Sequence, residues 1–217
     1  MSLRTRRKSQ TREALIQAVL EQGSRGDSFS SMSLRAITKE AGVVPAAFYR
    51  HFKDMEDLGK TLVDDYLTLA LSELLKSIFD KHPQPTGQIS ARVNRFLAMI
   101  SERPDYWQFL VTERWGGSPA VRKAIKHQVV KFESKLAKEL SELGAFGSTP
   151  KDELKLLAHM VTNLFFSWIP DWIELQTSDP DAKSDKLLAD YTTSCAMQAK
   201  ILFYGAAHLK MSTLQAS

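Results

Sequence analysis

A chain of 217 residues, 43% hydrophobic and 25% charged, can form one large domain or a small module joined to a larger one, and its composition excludes global disorder. Its lone cysteine, Cys195, excludes an internal disulfide and fits a reducing cytoplasm, the N-terminal segment has no signal-like apolar core, and no apolar run approaches the ~18–20 residues that span a bilayer. The net charge of +4 is unevenly placed: residues 1–53 hold ten Lys/Arg against four Asp/Glu, a net +6 that leaves −2 for the remainder, so a polyanion bound at one end is the natural partner.

Helical periodicity runs through the chain, without an alternating strand pattern. Residues 9–24 place Leu15, Ala18 and Val19 on one face, and Gly23, Gly26 and Asp27 break it. Ser33 can cap a short helix whose Leu34, Ile37 and Ala41 point inward, and Gly42 ends it. Pro45 suits the first turn of a helix over 45–51. Asp54, followed by Glu56 and Asp57, caps a long helix reaching Lys81. After Pro83, Pro85 and Gly87, helices are predicted over 88–102, 104–115, 119–143, 151–175 and 184–209, with Pro170 kinking or ending the one that contains it. Nine helices result, three short ones at the basic end and then a longer bundle, an all-α fold.

Residues 33–52, SLRAITKEAGVVPAAFYRHF, read as a helix-turn-helix. Leu34, Ile37, Val43 and Phe48 supply the apolar contacts that fix the angle between its helices. Ala46 and Ala47 keep the second helix slim enough for a groove ~12 Å wide, and Tyr49, Arg50, His51 and Lys53 are placed to reach phosphates and base edges. The stretch Ala41-Gly42-Val43 … Phe48-Tyr49-Arg50-His51-Phe52-Lys53-Asp54 … Leu58 resembles the DNA-binding signature of the TetR family of repressors. That resemblance implies a three-helix DNA-binding head over 1–53, a ligand-binding and dimerisation body over 54–217, and a cytoplasmic homodimer on a near-palindromic DNA operator. Carried over residue by residue, it assigns Ser33, Arg35, Ala46, Ala47, Tyr49, His51 and Lys53 to DNA contacts. Pro45 and the two alanines depart from the polar base-reading residues of many relatives, which leaves more to Arg35, Arg50 and DNA shape. The run Arg4, Arg6, Arg7, Lys8 reads as an arm ahead of the first helix that follows a phosphate strand or enters a minor groove, the alternative being a solubilising tail.

In the body, Leu188, Tyr191, Cys195, Ala199, Leu202, Ala206 and Leu209 recur at spacings of three and four, and Leu154, Leu157, Val161, Leu164 and Trp168 repeat the pattern. Two such seams suit a four-helix dimer interface, which the resemblance also implies; ordinary packing within one chain is the alternative. Aromatic residues are abundant, and Phe96, Ile100, Trp107, Leu110, Phe165 and Trp168 are candidates to line a slot for a small hydrophobic effector, with Arg114, Arg92, Arg95, Arg122 and Lys123 as candidates to hold its head group. The stretch from Arg103 to Ile125 is similar to a branch of the family that regulates unsaturated fatty acid synthesis and desaturation, which implies a long-chain acyl-CoA effector. A repressor of efflux or catabolic genes with another hydrophobic or cationic ligand, and a helical acyl-binding module without DNA function, are the alternatives. No catalytic motif, cofactor fingerprint or metal-ligand spacing is visible, so an enzyme is not expected.

Overall fold

The computed structural model describes the backbone of residues 3–79, 88–143, 145–177 and 185–215, and the side chains of these except 3, 4, 77, 88 and 209–215. Among the described residues there are nine helices and no strand, as the periodicity predicts. They are α1 (Leu3–Ser24), α2 (Leu34–Glu40), α3 (Pro45–Phe48), α4, α5 (Gln88–Glu102), α6 (Pro104–Arg114), α7 (Pro119–Ser141), α8 (Lys151–Thr177) and α9 (Asp185–Gln215). Helix α4 runs from Met55–Leu62 through a π-helical turn, Val63–Leu67, into Thr68–Phe79, and a 3-10 turn, Phe29–Ser31, precedes α2. No helix among the described residues is long and apolar enough to cross a membrane.

Packing divides the chain into two compact units, Met1–Leu69 with Pro104–Gln128, and Ala70–Arg103 with Val129–Ser217. The sequence suggests a division at 53/54; packing instead groups residues 54–69 and 104–128 with the first 53. In the first unit α1 packs on α2, α3 and α6. Its Leu15, Ile16, Val19 and Leu20 form one stripe and are fully buried, as are Ile37, Phe48, Leu58 and Leu62. Each such side chain contributes roughly 1.5–3 kcal/mol. Polar ties run along the outside. Arg12 pairs with Asp65, Tyr66 Oη donates to Glu13 at 2.6 Å, and Gln128 Nε2 donates to Asp64 at 2.6 Å.

Helix α1 begins at Leu3, ahead of the expected start at residue 9. The basic run therefore lies in the first turns of a helix, with Arg6, Arg7 and Lys8 exposed, and is not an arm preceding it. Arginine, lysine and glutamine are good helix formers, and turns without a buried face leave no periodic signal. Of the two outcomes expected at Pro170, an end of the helix is excluded: α8 continues through it to Thr177, burying Trp168, Ile169 and Trp172 on either side of the proline. In the second unit α5, α8 and α9 pack pairwise around this apolar face.

Candidate functional site

The helix-turn-helix is built by caps at each of its ends. The Ser33 hydroxyl accepts from the Ala36 N–H at 3.1 Å and opens α2. Helix α2 closes through Gly42, which takes φ +65°, while the Val43 N–H donates to the Thr38 carbonyl at 2.9 Å and the Gly42 N–H to the Lys39 carbonyl at 3.1 Å. This paired C-terminal motif turns the chain sharply and needs the left-handed conformation that glycine adopts most cheaply. Pro45 then starts α3. The α-helix ends at Phe48, short of residue 51, but bonds from His51 N–H and Phe52 N–H to the Phe48 carbonyl, at 2.9 and 3.0 Å, carry the helical turn onward. Fully buried Ile37 and Phe48 hold the two helices at their angle.

These anchors leave an outward face of the kind a groove requires. Ser33, Arg35, Ala46, Tyr49, Arg50 and Lys53 are exposed, and Ala47 and His51 are half-buried. Tyr49 stands 64% exposed with its ring edge-on to Phe48 at 5.5 Å, so its hydroxyl is presented on a rigid base. Arg6, Arg7 and Lys8 are exposed on α1; the side chain of Arg4 lies outside the described residues. His51 is pushed below the ordinary histidine range by burial first, then by Lys8, Arg12 and Arg50. The basic turns of α1 and the end of the recognition segment therefore share one positive field, suited to phosphate. At the start of α4 the Asp54 carboxylate accepts from Asp57 N–H at 2.8 Å, and Asp57 accepts from Lys53 N–H at 2.9 Å, which fixes the backbone that carries Lys53.

The expected effector residues fall into two sets. Phe96, Phe165 and Trp168 come together in the second unit, with Phe96 stacked on Phe165 at 5.0 Å and Trp168 5.0 Å from Phe165 and 6.4 Å from Phe96. Ile100 is buried in the same unit. Trp107, Leu110 and Arg114 belong to the first unit, where Trp107 lies edge-on to Tyr106 and the Arg114 guanidinium sits 5.7 Å over the Trp115 ring. Around the cluster of the second unit, Trp168 Nε1 donates to Gln198 at 3.0 Å and Trp172 Nε1 donates to Ser101 at 3.0 Å. Half-buried Arg92 is held below the ordinary arginine range by burial.

The residues expected at the dimer seam divide into two sets. Leu154, Leu157, Val161, Cys195 and Ala199 are buried within the single chain, and Leu164, Leu188, Tyr191, Leu202 and Ala206 are half-buried. The apolar side chains that α8 and α9 leave exposed are others: Leu156 and Met160, and Leu187, Met197, Ile201 and Tyr204. Burial pushes the Cys195 thiol up to about 11, which removes the thiolate that reactive chemistry would need.

Two family models match the chain. One, described as bacterial regulatory proteins of the tetR family, covers residues 27–60, from near the start of the α1–α2 connection into α4. The other, described as the tetracyclin repressor-like C-terminal domain, covers residues 85–193, half of the chain. The chain belongs to the tetR family. Solved structures of the same fold include a proposed transcriptional regulator from Pseudomonas aeruginosa PAO1, 17% identical with a TM-score of 0.65 over 96% of this chain and 95% of that one. The transcriptional regulator FadR from Bacillus subtilis in complex with stearoyl-CoA is 14% identical, with a TM-score of 0.64 over 89% and 96%. The fatty acid degradation regulator FadR from Bacillus halodurans is 16% identical, with a TM-score of 0.62 over 87% and 94%. At these identities the likeness is one of fold.

This TetR-family protein is thus a DNA-binding regulator of transcription. One contributor to its basic face goes unnoticed in the sequence. Arg12 of α1 stands four residues after Lys8, faces the same histidine, and lies 5.7 Å over the Phe52 ring. The signal was present, since residues four apart share a helix face, but it requires knowing that the helix already runs through Lys8.

Proposed function

We propose that this regulator is a dimeric repressor that occupies operator DNA through α2 and α3 and is tuned by a long-chain fatty acyl-CoA, so as to control genes of unsaturated fatty acid metabolism. The observation that carries the DNA half is the exposed row Ser33, Arg35, Ala46 and Tyr49 beside Lys8, Arg50 and His51, presented by a capped and buried scaffold. Arg35 and Arg50 are the groups with the reach to read bases; Lys53, Arg6, Arg7 and Lys8 hold phosphate. The effector half is supported by the Phe96–Phe165–Trp168 cluster, which has the apolar character an acyl chain selects, and by Arg92, a half-buried cation in the same unit. The regulator FadR from Bacillus subtilis, of the same fold, is solved in complex with stearoyl-CoA, which supports the same class of effector here.

The test titrates the protein on a DNA duplex that it selects from a random library, with stearoyl-CoA and oleoyl-CoA, chains of equal length. Straight and bent chains press on different side chains, so the two should shift DNA affinity unequally, one of them by roughly tenfold, an ordinary size for coupling between two sites. If neither changes DNA affinity nor quenches the tryptophans, the acyl-CoA assignment fails while the DNA assignment stands.

A further inference from the structure

The end of α6 carries a buried acid that the DNA-facing surface does not use. Glu113 is 1% exposed. Its Oε1 accepts from the backbone N–H of Phe29 at 2.8 Å, across a sequence separation of 84 residues, and its Oε2 has no hydrogen-bond partner among the described residues. A carboxylate held in the interior by one donor costs stability, so its position asks for a reason. The neighbourhood is shaped to admit it. A Cβ on Gly116 would collide with Glu113 Oε2, and a Cβ on Gly117 would collide with the Ser30 hydroxyl. The Phe29 ring meets Phe109 of α6 edge-on at 6.0 Å, and a Cβ on Gly59 of α4 would lie 2.7 Å from it. The turn Phe29–Ser31 is thereby gripped on three sides, and Ser33, the N-cap of α2, follows two residues later.

We propose that Glu113 is a positioning residue for DNA binding: by pinning the Phe29 N–H it seats the Phe29–Ser31 turn on α6 and so sets where the helix-turn-helix stands. The inference rests on the reading of α2 and α3 as the DNA-binding element and does not need the acyl-CoA. Its consequence differs from that of a stabilising contact. Phosphate contacts follow charge and tolerate a loosely held head; base contacts need register. Losing the pin therefore weakens specific binding and leaves non-specific binding and its salt dependence intact.

The experiment compares wild type, Glu113→Ala and Glu113→Gln on the library-selected duplex and on a scrambled duplex, with hydrogen exchange read at the Phe29 amide. In Glu113→Ala, Phe29 exchange is expected to speed up and selected-duplex affinity to fall about tenfold, the scale of one lost buried hydrogen bond. Scrambled-duplex affinity and the salt slope should stay unchanged, and Glu113→Gln, which keeps an acceptor oxygen, should recover most of the loss. If Glu113→Ala does not fold, Gly117→Ala tests the same grip from the other side: its Cβ pushes against Ser30 and should weaken the selected duplex alone, with Ser30→Gly in the same chain restoring it. A folded Glu113→Ala or Gly117→Ala protein that binds the selected duplex like wild type overturns the proposal. Wild type that binds no duplex overturns the DNA reading and this inference with it.

Discussion

His51 sits among like charges, and that gives DNA binding a pH dependence of definite sign. In the free protein burial, Lys8, Arg12 and Arg50 hold its pKa below the ordinary 6.5, so near neutrality the ring is uncharged. A phosphate brought into that field neutralises the repulsion and favours the imidazolium, so binding takes up a proton. Affinity should rise as pH falls from neutrality, by at most about tenfold per pH unit, and level off once the free ring itself titrates. Stability runs the other way. The folded pKa is depressed, so the contribution of His51 is complete above the unfolded value and is lost as pH falls through the folded one. DNA titrations across pH on wild type and His51→Gln separate the two slopes, and a variant with an unchanged pH slope of binding rules the histidine out. At this scale the sequence was readable wherever a residue acts on its own backbone: Ser33, Gly42, Pro45 and Asp54 cap and turn as their types require. Glu113 was not readable, because an acid near the end of a helix looks like a solvated one until Phe29 arrives from 84 residues away.

Helix α4 shows how one small residue decides an element's packing. A Cβ on Gly59 would lie 2.7 Å from both the Phe29 ring and a Val121 methyl. Alanine is the better helix former by about 1 kcal/mol, but overpacking costs typically about 1–3 kcal/mol, so the packing term should win. Gly59→Ala is expected to lower the midpoint of thermal unfolding; a rise in the midpoint would mean that Phe29 and Val121 yield freely. The elements themselves were legible because proline and glycine punctuate the chain, and most helices end within a few residues of the places those breakers mark. Two features left no trace. The solvated turns of α1 before Ser9 have no buried face to set a period. The π-helical turn Val63–Leu67 carries no local signal, and it coincides with long-range ties that the sequence does not reveal: Asp64 to Gln128, Asp65 to Arg12 and Tyr66 to Glu13.

For the whole molecule, the apolar stripe that the single chain leaves exposed is where a second copy would sit. Spacings of three and four were legible on the last two helices, but such spacing cannot say whether the covering surface belongs to the same chain. The stripe through Leu157, Val161, Cys195 and Ala199 is covered by the chain itself. Among the described residues the most exposed large apolar side chains of these helices are Met197, Ile201 and Tyr204, which share one face of α9, with Leu187 of α9 and Leu156 and Met160 of α8. Ile201 and Tyr204 are 66% and 67% exposed, an unusual cost for a surface that water alone would cover. A dimer formed there would couple two heads, whose recognition segments should then meet major grooves ~34 Å apart or a multiple of that. Placing charges on this face, as Ile201→Glu with Tyr204→Glu, puts two carboxylates where apolar contact is needed and disturbs no buried residue of the single chain. The expected result in sedimentation is a folded monomer. On DNA that monomer should lose the gain in affinity that comes from linking two half-site contacts, and its salt slope should fall to about half, because the slope counts phosphates at about 0.9 each. A variant that sediments as the wild type does and keeps its full salt slope would place the dimer elsewhere.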